Sequence, residues 1–169
     1  MKLEYIRAGR IVNTHGVRGE VKLLPCQGVE PDYLLPCKTF YIDGRPLTCA
    51  ACRVHKGCLL LTLKGVEDMD AALALKGREV SIRRSEAALP PGAFFDEELV
   101  GLAVRDAATG APLGRLEEVL DYPAHKIYAV RGGGADYLVP AVDAFVAAVD
   151  LEAGTMDIHV WEGLAQSSD

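Results

Sequence analysis

The segment Gly9-Arg10-Ile11-Val12-Asn13-Thr14-His15-Gly16-Val17-Arg18-Gly19-Glu20-Val21-Lys22 sets Arg10, His15, Arg18 and Lys22 around a turn with glycines on both sides. Guanidinium, ammonium and imidazole groups so placed can hold phosphate oxygens. The glycines let the backbone bend tightly or lie against another surface. The Gly-x-x-x-x-Gly-Lys-Ser/Thr spacing of a phosphate loop is absent, and no helix follows to offer its amide groups. Without other support, such a basic tip reads as a solvated turn before it reads as an RNA contact.

Cys49-Ala50-Ala51-Cys52, with His55 and Cys58 close by, raises metal binding or thiol redox chemistry. A structural zinc site needs four ligands, commonly as two such pairs, and no second pair exists. On a strand, Cys49 and Cys52 point to opposite faces, which disfavours one shared metal. A thioredoxin-like motif needs a helix start after a parallel strand. The expectation is small buried hydrophobes. Asp143, Asp150 and Asp157 recur at seven-residue intervals, but across strands and turns, and the four histidines are scattered. Nothing assembles a catalytic group. The chain reads as non-enzymatic, with no cofactor and no metal.

The elements that must position these groups are short strands. Tyr5 to Val12 is apolar and β-prone, and Asn13-Thr14-His15-Gly16 is expected to turn the chain. Gly19 to Leu24 alternates charged and apolar residues, the period of a half-buried strand. Phe40-Tyr41-Ile42 leads into Asp43-Gly44, a hairpin dipeptide. Thr48 to Val54 and Cys58 to Leu63 pair around Lys56-Gly57, and Glu79 to Ile82 follows. One short helix stands out, capped by Asp68, built on Ala71 to Leu75 and stopped by Gly77. In the second half, Leu99–Val104, Leu113–Leu120, Ile127–Val130, Tyr137–Pro140, Phe145–Asp150 and Met156–Val160 are the candidate strands. The tail from Gln166 to Asp169 is expected to fray.

Leu89-Pro90-Pro91-Gly92 is the strongest break, since successive prolines stop helix and sheet alike. The charge divides there too. The 169 residues carry 18 Lys and Arg against 24 Asp and Glu, a net of −6. Residues 1–89 hold 14 basic and 10 acidic residues, net +4, whereas 90–169 hold 4 and 14, net −10. Such asymmetry suggests two parts with different partners. An acidic total argues against a surface that grips nucleic acid throughout. Half the residues are hydrophobic and a quarter charged, which excludes disordered and fibrous classes. No run reaches a membrane span. The charged start, with five cysteines and no secretion signal, reads as a cytoplasmic chain without a disulfide framework.

The Gly9–Lys22 segment resembles the opening signature of the RimM family of bacterial ribosome maturation factors. Tyr137-Leu138-Val139-Pro140-Ala141-Val142-Asp143-Ala144-Phe145-Val146, Val149-Asp150-Leu151-Glu152 and Trp161-Glu162-Gly163-Leu164 are similar to that family's C-terminal domain, a PRC barrel. Gly92-Ala93-Phe94-Phe95 followed by Leu99-Val100-Gly101-Leu102 resembles its first strand. The likeness runs from about Tyr5 to Leu164.

The resemblance implies an all-β protein of two small β-barrels, a translation-factor-like N-terminal barrel with one short helix and a C-terminal PRC barrel. Residues 1–88 would form the first, 89–95 a linker and 96–169 the second. It implies a monomeric assembly factor that binds the immature small ribosomal subunit, its rRNA and small-subunit ribosomal protein nineteen. On that reading Arg10, His15, Arg18 and Lys22 contact RNA. Phe94, Phe95, Asp96, Glu97 and Glu98 contact the ribosomal protein. Phe94 and Phe95 stand where the family has two tyrosines, which keeps aromatic packing and removes the phenolic hydrogen bonds. At least one of the two is expected to be buried. The loop Tyr122 to Lys126 also departs from the family's small turn. The competing readings are a PRC-barrel module of another pathway and a metal or thiol-redox protein using Cys49, Cys52 and Cys58.

Overall fold

The computed structural model describes residues 3–161 and 164–166. Glu162 and Gly163 of the C-terminal signature, and Ser167 to Asp169 of the tail, lie outside the described residues. The chain divides into two compact units between Phe95 and Asp96.

The first unit is a closed six-stranded barrel. Its strands are β1 (Tyr5–His15), β2 (Glu20–Pro25), β3 (Thr39–Ile42), β4 (Arg45–His55), β5 (Cys58–Leu63) and β6 (Glu79–Arg83). Around the barrel they run β1, β2, β5, β4, β3, β6, each antiparallel to its neighbours. Strand alternation fills the centre: Ile6, Ala8, Ile11, Val21, Leu23, Phe40, Leu59, Leu61, Val80 and Ile82 are all buried in one cluster. Both short hairpin turns form as their sequences predict. Asp43 and Gly44 take φ of 50° and 80°, and Lys56 and Gly57 take 49° and 76°. Two successive positive φ values make the turn whose twist matches the flanking strands.

The helix α1 (Met69–Leu73) also sits where the sequence puts it. The Asp68 carboxylate accepts from the Ala71 N–H at 2.7 Å, which satisfies one of the helix's orphan donors. The first turn is displaced. β1 continues to His15, and the reversal is made by Gly16 to Gly19 rather than Asn13 to Gly16. A bulge between Ile11 and Asn13 shifts the register and lets the pairing run on.

The expected linker belongs in part to the barrel. Leu89 packs on the core, and Phe95 lies in it, 1% exposed, with its ring edge-on to Tyr33 at 5.9 Å. The Arg84 guanidinium covers the same ring at 5.2 Å.

The second unit is one seven-stranded sheet of β7 (Ala103–Asp106), β8 (Pro112–Asp121), β9 (Lys126–Gly132), β10 (Asp136–Pro140), β11 (Val146–Asp150), β12 (Thr155–Ile158) and β13 (Ala165–Gln166). The order is β11, β12, β7, β8, β9, β10, β13, and β12 pairs with β7 in parallel. Val104, Leu116, Ala129, Val130, Val139, Met156 and Ile158 are fully buried. One expectation fails at its start. No strand runs through Leu99, because Asp96–Leu99 forms a short helix, α2. Three carboxylates in its first turn complement the positive end of the helix, and Gly101, at φ 97°, turns the chain into β7.

Candidate nucleic-acid and protein interfaces

Two glycines explain why the first signature is rigid in its spacing. A Cβ on Gly9 would stand 2.1 Å from the Leu24 carbonyl oxygen, so β1 and β2 can approach only with glycine there. Gly19 lies at φ 89°, and a Cβ on it would meet the Val66 carbonyl oxygen at 2.4 Å.

The four basic candidates do not form one group. Arg10 sits down β1, opposite Leu24, and shares Glu79 with Arg7 at 3.7 Å and 3.0 Å. It lines a different hollow from the turn residues, with Gly9, Val12, Leu24 and Pro25. His15 and Arg18 line a cleft of about 440 Å³ with Gly16, Val17, Glu20 and Thr62. Val17, 70% exposed, is an apolar side chain left at the tip. Lys22 faces outward on β2, beside Asn13 on one side and Leu60 on the other.

The structure adds three basic or protonatable residues that the sequence does not join to the first signature. Arg53 and His55 lie on β4, and Lys56 in the turn after it. The His15 and His55 rings are 5.6 Å apart. Glu20 accepts from Arg53 at 3.2 Å and stands 3.9 Å from His15. Burial, then the charges of Lys56, His15, Arg53 and Lys22, hold His55 below the ordinary imidazole value. Lys22, Arg53 and Leu60 share one line across the sheet, and Leu60 is fully buried although it points away from the barrel core. Long basic side chains cover apolar surface in this way while keeping their charge in water. A sequence signal existed: Arg53-x-His55-Lys56 alternates along a strand and ends in a turn, as the first signature does.

The cysteines differ from expectation in orientation. A bulge between Cys49 and Ala51 resets the alternation, so Cys49 and Cys52 both turn inward against the core. The Cys52 thiol donates to the Leu35 carbonyl at 3.3 Å. Burial, then Glu86 and the two other thiols, push Cys37 up to about 12. Burial, then Cys52, push Cys49 up to about 11. Cys58 faces the opposite way on β5, so Cys49, Cys52 and Cys58, the trio of the competing metal or redox reading, do not meet. Among the described residues, no three His, Cys, Asp or Glu side chains converge to hold a metal ion.

At the start of the second unit the Phe94–Glu98 group is divided, its two phenylalanines falling in the first unit and its three acids in the second. Phe95 is buried in the first unit's core and Phe94 is half-buried. Asp96 is held by the Lys126 ammonium at 2.6 Å. Glu98 is 1% exposed, and Glu97 alone of the three acids is exposed. A helix explains this, since successive residues on it point in different directions where a loop could present them together.

The apolar surface of this unit lies elsewhere. Trp161 stacks on Phe145 with ring centres 4.1 Å apart and remains 39% exposed. Val142, in the turn that receives the Phe145 N–H, and Val160 are exposed beside them. Asp143 in the same turn is exposed too. A partly exposed aromatic pair is the composition of an interface anchor.

Residues 6–87 match the family model of the RimM N-terminal domain, and residues 96–164 that of the RimM PRC barrel domain. A protein of Geobacter metallireducens named ribosome maturation factor RimM is 36% identical over 169 residues, 95% of each chain. A protein of the same name from Lacticaseibacillus casei is 34% identical over 173 residues, 98% of this chain and 99% of its own. Another from Syntrophotalea carbinolica is 37% identical over 168 residues, 95% and 94% of the two chains.

Proposed function

The chain belongs to the RimM family of ribosome maturation factors, and from that premise we propose that it is a non-enzymatic assembly factor of the small ribosomal subunit, with one binding face on each unit. The observation that carries the division of labour is the charge. Residues 1–95 carry a net +4 and residues 96–169 a net −10, and the boundary between the units falls between them.

The first barrel approaches the rRNA through the face that carries His15, Arg18 and Lys22, with Arg10 as a separate, partly neutralised cation. The second unit engages a basic ribosomal protein of the small-subunit head, small-subunit ribosomal protein nineteen. Glu97 remains the accessible acid of its segment, and Trp161 with Phe145 and Val142 adds an apolar anchor. Opposite charge speeds encounter and sets orientation, while desolvated aromatics supply affinity. The factor favours assembly only if it binds the competent arrangement of protein and RNA more tightly than the others.

Co-sedimentation tests the reading. The chain should travel with immature and free small subunits and not with mature ribosomes; equal association with both sinks it. Trp161→Ala should weaken binding to the isolated ribosomal protein by about tenfold or more, as a central aromatic anchor does. Unchanged binding would remove Trp161 from the interface.

A further inference from the structure

Two hairpins far apart in sequence bring five basic or protonatable side chains to one face of the first barrel: His15, Lys22, Arg53, His55 and Lys56. We propose that this face is a proton-linked docking surface for the phosphodiester backbone of RNA, on which a seated phosphate draws a proton onto His55. The inference rests on the ribosomal reading above and extends it from the first hairpin to residues of the second.

The geometry shows an electrostatic deficit. One carboxylate, Glu20, is shared by Arg53 and His15. Among the described residues the side chains of Lys22 and Lys56 make no hydrogen bond or ion pair, and neither does that of Arg18 at the adjoining turn. β5 contributes only Cys58, Leu60 and Thr62 to the outward side, so no charge arrives from beneath. Like charges that are close and uncompensated disfavour a further proton, and the neutral imidazole of His55 is the cheapest relief. Burial is the largest cause that lowers its proton affinity, and the charges of Lys56, His15, Arg53 and Lys22, which follow it, are the part that a phosphate would neutralise. A bound anion therefore weakens the positive field at His55. Protonated imidazole then donates a charge-assisted hydrogen bond to the oxygen that called for it.

The proton balance follows. Phosphodiesters do not titrate near neutrality, so any proton taken up on binding goes to the protein. In the free chain His55 is neutral near pH 7; in the complex it is charged. Affinity must then rise as pH falls, by at most about tenfold per pH unit for one proton. Linear surfaces of this kind also release counterions, about one unit of salt slope for each phosphate neutralised.

The test uses the full chain and a labelled short RNA hairpin in an anisotropy titration from about pH 8 to about pH 6. The wild type should bind several-fold more tightly at the acid end. His55→Gln should retain the affinity seen at the alkaline end and lose the pH dependence. Lys56→Ala and Lys22→Ala should weaken binding at every pH and lower the salt slope. An unchanged pH profile in His55→Gln, or unchanged salt slopes in both lysine variants, overturns the proposal. Poly-glutamate serves as competitor. If it binds as tightly with the same pH profile, the face takes acidic polypeptide and the RNA assignment falls. Co-sedimentation of the same variants with immature subunits separates the two readings. A chain that still co-sediments but shows no pH-linked RNA binding loses only this inference, whereas a chain that does not co-sediment loses the ribosomal reading.

Discussion

At the residue scale, Gly9 and Gly16 show that glycines in one signature serve different needs. Gly9→Ala pushes a methyl into the Leu24 carbonyl and should cost about 1–3 kcal/mol of stability in a denaturant titration. Gly16 has open space around it and needs only its positive φ of 71°. Gly16→Asn, a residue that tolerates that conformation, should therefore stay within about 0.5 kcal/mol of wild type. His55 supplies a pH prediction of its own. Its native value lies below that of the unfolded chain, so the unfolded state binds the proton first. Stability should fall as pH drops below about 6.5, and this acid sensitivity should shrink in His55→Gln. Polyanion binding acts in the opposite direction. The inward thiols are protonated at ordinary pH, with Cys37 near 12 and Cys49 near 11. Alkylation of the native protein at about pH 8 should therefore spare both, and denaturant should expose them to full labelling.

At the scale of elements, Phe95 belongs to the first barrel although it follows the proline break. Phe95→Ala should destabilise that barrel by about 3–5 kcal/mol, the cost of removing a buried aromatic ring. The chain's one tryptophan, Trp161, lies in the second unit. Its fluorescence should then report an unfolding transition that the substitution leaves in place, while circular dichroism shows the first transition shifted. Local chemistry made much of this architecture readable. Asp43-Gly44 and Lys56-Gly57 name their own turn, Asp68 names the start of α1, and the apolar run from Cys58 to Leu63 marks a strand to the residue. What stayed hidden were features that depend on neighbours. The bulges after Ile11 and Cys49 arise from the pairing of two strands, so the turn of β1 and the facing of Cys49 could not be read from one. The helix at Asp96–Leu99 is written in a segment whose apolar residues also fit a strand. The meeting of His15 with His55 needs the barrel closed. Half of the basic face was therefore legible in the first signature, and the other half waited on the path of β4.

At the scale of the molecule, the net charge of −6 conceals opposite halves. Binding to RNA and binding to the basic ribosomal protein should both weaken with salt, and substitutions should affect them separately. Glu97→Lys should slow association with the protein and leave RNA affinity within about twofold. The reverse pattern would exchange the roles of the two units. The topology also imposes an order in time. β6 closes the first barrel once residues 79–83 are available, and Phe95 completes its core soon after. In the second unit β7 must wait, because its parallel partner is β12 and Ala103 finds Thr155 across most of that unit's sequence. During synthesis β8, β9 and β10 emerge well before the strand that shields the other edge of β7. Loop closure of that length is slow, and an unpaired edge is exposed to wrong partners meanwhile. The first barrel can thus mature on the translating ribosome, while the second unit completes its sheet only as its last strands leave the exit tunnel.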